Sequence, residues 1–198
     1  MKNIISGLIV IAAAVTFYTC AQSKSNNQLP KGWYSPNNPS EYEAGIDNST
    51  FEHGRSCAFI KSNSPSGKDF GNLMQAISAK NYFGKRIRLS GYIKSKDAES
   101  GCAMWMRVDG KVQSLEFDNM SNRLIKGTTD WKKYEIVLDV PEGSVAINYG
   151  VVLLGHGEVW CDNFNLEEVD NSVPVTNLIY TKASNLPTEP VNMDFEEK

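Results

Sequence analysis

A pair of carboxylates flanking a sugar bond could hydrolyse it, and Glu116, Asp118 and Asp130 are available for such a pair. No spacing singles out two of them, and a pool of solvated acids is expected in a chain with 23 acidic side chains. Ser-His-Asp chemistry would have to use His53 or His156, the two histidines. No Gly-x-Ser-x-Gly elbow frames a serine. Glu52 adjoins His53, but neighbours on a strand point to opposite faces, so it would not orient that ring. His156 stands between Gly155 and Gly157 and reads as a turn residue. Cys57, Cys102 and Cys161 form no CxxC pair and lie in apolar or alternating runs, which suits buried, inert thiols better than a zinc site. Their odd number permits at most one disulfide among them. These residues favour a non-catalytic protein, with a hydrolase as the third choice after a binding module and a protein-interaction module.

Binding chemistry is better served. Trp105, Arg107 and Asp109 share one parity of an alternating run whose other parity is Cys102, Met104, Met106 and Val108. With the methionine face in the core, an indole beside an arginine and a carboxylate points outward; with the strand covered on both sides, Trp105 is buried. A second cluster, Asp118, Asn119, Arg123 and Lys126, crowds a loop between two strands, where function often sits. The same Asp and Asn residues also build turns. Sugars offer apolar C–H faces and hydroxyl rims, which aromatic rings and a few fixed polar groups can meet. Trp105, Arg107, Asp109, Asp118, Asn119 and Arg123 are therefore the candidate ligand-binding residues, with a glycan or similar polar compound as the ligand.

The elements that must carry these residues are mostly strands. Period-two alternation runs through 56–61, 86–94, 102–109, 133–140 and 160–166, and 145–154 is nearly all apolar, as a strand buried on both faces would be. Asp109-Gly110 between alternating runs signals a hairpin. Phe70, Leu73, Met74 and Ile77 follow i, i+3, i+4, i+7 spacing, which predicts one short crossover helix. Trp160 shares parity with Phe164 and Leu166 and reads as core. Trp33 and Tyr34, in an irregular lead-in over 33–47, could cap an open edge. The expected fold is all-β: an antiparallel β-sandwich jelly roll with one short crossover helix.

At the N-terminus Lys2, an apolar run from Ile4 to Phe17, and Cys20 follow in the order of a secretory signal peptide. The run is too short to span a bilayer with confidence. The segment resembles a bacterial lipoprotein signal, which implies lipidation of Cys20; plain secretion is the alternative. The expected division is a signal peptide at 1–19, a flexible tether at 20–32, the jelly roll at 33–169, and a Pro- and Asn-rich tail at 170–198. With 20 basic against 23 acidic side chains and a net charge of −3, the chain lacks the concentrated basic face of a nucleic-acid binder.

Several words in order resemble galactose-binding-like jelly rolls related to carbohydrate-binding modules. They are the segment from Tyr82 to Lys94, the run from Trp105 to Gly110, the stretch from Phe117 to Met120, the Lys126–Trp131 segment with Tyr134, and Val159-Trp160-Cys161-Asp162-Asn163. The same series is similar to the non-catalytic module ahead of the catalytic domain in some bacterial S41-type peptidases. The resemblance implies a binding role outside the cytoplasm, anchored to the membrane by lipid alone, with an envelope protein such as a protease as an alternative partner. It requires no cofactor. It suggests a structural calcium near the first and last strands, for which Glu52 and Asp162 are the candidates. The stretch from Pro190 to Glu196 is similar to the opening strand of such modules, so the tail could be an extra edge strand or the start of a second module.

Overall fold

A computed structural model describes residues 28–37, 40–64 and 69–178. The signal peptide, Cys20, the tether as far as residue 27 and the tail from 179 lie outside the described residues.

The chain builds eight strands: β1 (Tyr42–Asp47), β2 (Cys57–Ser62), β3 (Phe70–Ser78), β4 (Arg86–Asp109), β5 (Ser114–Asp118), β6 (Ile125–Asp139), β7 (Ala146–Leu154) and β8 (Glu158–Val169). All pair antiparallel. They form a β-sandwich jelly roll. One layer runs β1-β2-β8-β4-β6 and the other β3-β7-β4-β5, because β4, 24 residues long, contributes its first half to one layer and its second half to the other. The passage between layers is irregular. Register shifts against β6 fall between Ser95 and Ala98 and between Ala98 and Cys102, and Asp97 and Gly101 have φ of 52° and 106°. Gly157 is packed against this bend: its φ is +129°, and a Cβ there would lie 2.7 Å from the Asp97 carbonyl oxygen. Glycine is therefore required at the corner.

Between the layers, Leu73, Ile87, Leu89, Ile93, Met104 and Met106 are among the fully buried side chains. The methionine parity of β4 is the core face, and 146–154 is a central strand between β3 and β4.

The crossover helix is corrected. Residues 70–78 form an unbroken nine-residue ladder with β7, from Phe70↔Leu154 to Ser78↔Ala146. Leu73 and Ile77 pack with the core while Phe70 and Met74 lie on the other face. Two period-two apolar sets, one per face, superpose into a pattern that reads as helical. The only helical turn near it is a 3-10 turn over Ala79–Tyr82. The lead-in also holds more order than its composition suggested: 42–47 is β1, and Tyr34 exchanges backbone hydrogen bonds of 2.9 Å with Met74 on the open edge of β3.

The parity argument for Trp160 fails for a definable reason. Asn163 has φ 50°, and the β4–β8 register slips between Ser90 and Tyr92. This bulge places Phe164 and Leu166 on the inner face but turns Trp160 outward, where it is covered and its indole N–H donates to Asp47 Oδ2 at 2.9 Å.

Both tails hold on further than expected. Leu29 and Trp33 pack against the core. After β8, Arg86 Nη1 donates to the carbonyls of Asn171 and Val173, both at 2.6 Å. Thr176 bonds Val137 of β6, and the Leu178 amide donates to the Phe117 carbonyl on the free edge of β5 at 2.9 Å. Residues 170–178 thus close one side of the sandwich rather than trail from it.

Candidate functional site

The outer face of the β3-β7-β4-β5 layer carries a groove of about 510 Å³. Its floor follows from strand register. Met74, Gly150 and Trp105 stand side by side across three strands. A Cβ on Gly150 would sit 2.2 Å from the Leu73 carbonyl and 2.9 Å from Met74 Cα, so β3 lies close and the row dips between Met74 and Trp105. Trp105 is on the outward face yet only 8% exposed. Its indole N–H donates to Asn72 Oδ1 at 2.9 Å, and Asn72 Nδ2 faces Met74 Sδ at 3.3 Å. Phe70, 51% exposed, and Leu154 form one end; Phe117 and Leu124 form another wall.

Arg107 also lines the groove. Its guanidinium grips Asp109 with two bonds of 2.8 Å, and Asp109 accepts further bonds from Ser114 Oγ and Asn148 Nδ2, each 2.8 Å. The pair is electrically neutral and Asp109 is a brace for Arg107. Asn119 stands at the rim, its carbonyl oxygen taking the Ser121 amide at 3.1 Å. A groove with many apolar groups and a few fixed amides and one tethered guanidinium can hold an uncharged ligand with both apolar and hydroxyl surfaces.

Of the six candidate residues, the structure brings Trp105, Arg107 and Asn119 to the groove and puts Asp109 behind Arg107. Asp118 and Arg123 do not line it. Asp118 is fully buried, paired with Arg123 at 2.6 Å, and accepts the Met120 amide at 2.8 Å. Together they hold the loop after β5, whose Met120 has φ 54°. Of the three acids considered for hydrolysis, Glu116 and Asp118 share one face of β5, each buried against its own partner, and Asp130 stands apart from them. Asp130 pairs with Lys94 on the other layer, and Glu116 is buried against Asn177. Burial and the nearby Asp139 push the Glu116 carboxyl up to about 7 even though the Asn177 bond opposes them.

Of the two calcium candidates, Asp162 is engaged by backbone amides. Asp162 accepts the Glu52 and His53 amides at 2.8 Å and the Asn163 amide at 2.7 Å, so Glu52 supplies its backbone and not its carboxylate. Among the described residues no cluster of three His, Cys, Asp or Glu side chains is placed to hold a metal. Cys57, Cys102 and Cys161 are free, buried thiols. Burial pushes Cys57 up to about 12, aided by Asp47 and Asp162, and Cys102 also up to about 12, so neither is a nucleophile at neutral pH. His53 lies against the Tyr92 ring and His156 Nδ1 is 3.1 Å from the Ser64 carbonyl. No helix among the described residues is long and apolar enough to cross a membrane.

Phe70, Asn72, Met74, Phe117, Val152 and Leu154 escaped the sequence reading. The signal was present in β3: apolar residues on both parities mean that both faces are covered or one of them binds.

No protein-family model matches the chain. It is 47% identical over 171 residues to an uncharacterized HTH-type transcriptional regulator, YbfP, of Bacillus subtilis strain 168. The match takes in 85% of this chain and 57% of the regulator, so the chain spans little more than half the length of that protein. Among solved structures it is similar to the CBM22-1 xylan-binding domain of Paenibacillus barcinonensis Xyn10C, at TM-score 0.53 and 14% identity over 72% of this chain and 88% of that one. The chain shares that fold. It is also similar to the C-terminal family 22 carbohydrate binding module of Clostridium thermocellum Xyn10B (TM-score 0.50, 12% identity, 73% and 89% covered). A cyclase from Fischerella sp. is similar to the same degree (TM-score 0.50, 15% identity, 73% and 87% covered). One fold thus serves binding and catalysis, and the site must carry the functional argument.

Proposed function

We propose that this chain is a non-catalytic binding module that holds a neutral glycan in the Trp105 groove. The observation that carries the reading is the groove itself: solvent-facing Phe70, a sunken floor at Gly150, and polar groups already fixed by Asn72 and Asp109. The fold likeness to xylan-binding modules supports a glycan over other ligands. The relation to a regulator favours a second reading, in which the same groove takes a small effector. Residues 1–20 support export, lipid attachment at Cys20 and a place in a bacterial envelope, where an envelope protein is the alternative partner.

The test is retention on an array of neutral polysaccharides. Phe70→Ala removes an exposed ring and should weaken retention at least tenfold while the chain stays folded. Retention unaffected by Phe70→Ala, or an array without hits beside a reproducibly co-purified envelope protein, would overturn the glycan reading. Labelled palmitate should enter the wild type and not Cys20→Ala.

A further inference from the structure

We infer that the cleft between the two layers is a second binding site, for a small uncharged aromatic compound of phenol or indole size. Sandwich interiors are close-packed and leave few voids larger than a water. Here a cleft of about 370 Å³ opens between β8 and β4 of one layer and β3 and β7 of the other. Its walls are unusual in being ring-rich. Trp33 meets Tyr149 edge-on at 5.9 Å and Phe164 edge-on at 5.7 Å, and Leu89, Leu166 and Cys161 complete the apolar surface. Phe164 itself lies over Gly91, where a Cβ would come within 2.2 Å of its ring, so its position is set by the backbone.

The polar side chains of its lining are the Gln75 amide, the Tyr149 and Ser56 hydroxyls and the Asp162 carboxylate, with two asparagines at the border. Gln75 accepts from the Tyr149 hydroxyl and donates to the Gly32 carbonyl at 3.2 Å, tying the lead-in to the cleft. Asn163 and Asn165, both exposed, border the mouth along β8. No lysine or arginine lines the cleft, and the one carboxylate, Asp162, is consumed by backbone amides. A charged ligand would find no counter-charge there. A flat neutral ring could make further edge-to-face contacts and present one hydroxyl or N–H to Gln75 or Ser56. The cleft lies behind the groove: Gln75 and Tyr149 face inward, while their chain neighbours Met74 and Gly150 face out. Trp33 serves the cleft and Tyr34, 43% exposed, adjoins the groove edge.

The experiment titrates the full chain with indole and with phenol, following aromatic-ring NMR signals of Tyr149 and Phe164 and saturation transfer to the ligand. Saturable binding with shifts at those rings is expected. It should weaken at least tenfold in Leu166→Phe, which fills the cleft, and in Ser56→Trp, a bulky change at an exposed lining position that leaves the fold intact. Phe70→Ala should leave it unchanged. Absence of binding to the wild type, or binding that survives both cleft variants, or that disappears in Phe70→Ala, would overturn the assignment.

Discussion

The two outer faces of this sandwich are built from the same kind of strand and have opposite character. On the β1-β2-β8-β4-β6 layer, charges are laid in rungs: Arg86 with Asp139, Arg88 with Glu167 and Glu135, Lys94 with Asp130, and Lys133 with Glu135. Rows of this sort keep a sheet face in water and resist stacking on another surface. On the outer face of the β3-β7-β4-β5 layer, Arg107 with Asp109 stands at an end, Asp118 with Arg123 is turned inward, and the middle is Met74, Gly150, Trp105, Val152 and Phe117. A face that avoids charge in its centre, yet is wet at Phe70, is a surface prepared for a partner. The proposed recognition by the groove layer rests on this contrast and not on the identity of the ligand.

The sharpest way to break this contrast is at Gly150. An added methyl must push against the Leu73 backbone, not the end of a flexible side chain. Gly150→Ala should cost about 3 kcal/mol or more of stability in urea denaturation and erase retention by the groove. A cost under about 0.5 kcal/mol, within the range of ordinary surface substitutions, would mean that β3 and β7 are not in the close approach described.

How far the chain announced this in advance depends on which face is considered. The inner pattern of β4 was plain, because Met104 and Met106 alternate strictly with polar or outward residues. The groove was half visible. Trp105 and Arg107 could be picked out by parity, but Phe70 and Met74 were hidden inside a pattern that mimicked a helix. That mimicry arises because β3 carries apolar side chains on both faces, one set toward the core and the other toward the groove. Trp160 is buried, but on the outer side of β8, because a single bulge residue inverts every later side chain; Asn163, a residue type that tolerates φ > 0, is the local hint of that bulge. Asp118 and Arg123 look like loop residues awaiting a ligand; only the fold shows that they answer each other.

The two layers also differ in how they respond to pH. Glu116, on the groove layer, titrates at about 7 against an ordinary 4.5. Between those values the unfolded chain gives up a proton that the folded one keeps, so stability falls as pH rises through the window. Glu116→Gln keeps an acceptor for Asn177 and removes the loss; it should be more stable than wild type by about 2 kcal/mol at pH 8 and indistinguishable at pH 4. Asp47, on the charged layer, behaves oppositely. Its partial burial would raise it, but bonds from the Ser49 hydroxyl and amide, the Trp160 indole and the Thr50 amide hold it at about 2, below the ordinary 3.8. Its contribution is complete above about 4 and is lost as pH falls toward 2. Asp47→Asn should therefore melt lower than wild type at pH 7, with the gap closing in acid. Melting curves of both variants across pH 3 to 8 should diverge at opposite ends. Parallel curves would remove the pH distinction between the layers.

The smallest effect is the most discriminating. Lys94→Ala breaks a 2.8 Å pair whose partner, Asp130, is mostly in solvent, and such exposed pairs contribute little to stability. Phe70→Ala should cost more, about 1 kcal/mol for the covered half of its ring. Neither truncation should unfold the protein, and the two lie on opposite faces. A polysaccharide array separates them: retention should survive Lys94→Ala and fail in Phe70→Ala. Loss of retention in both would mean that the charged face takes part in recognition, and the division between a solvated layer and a binding layer would have to be abandoned.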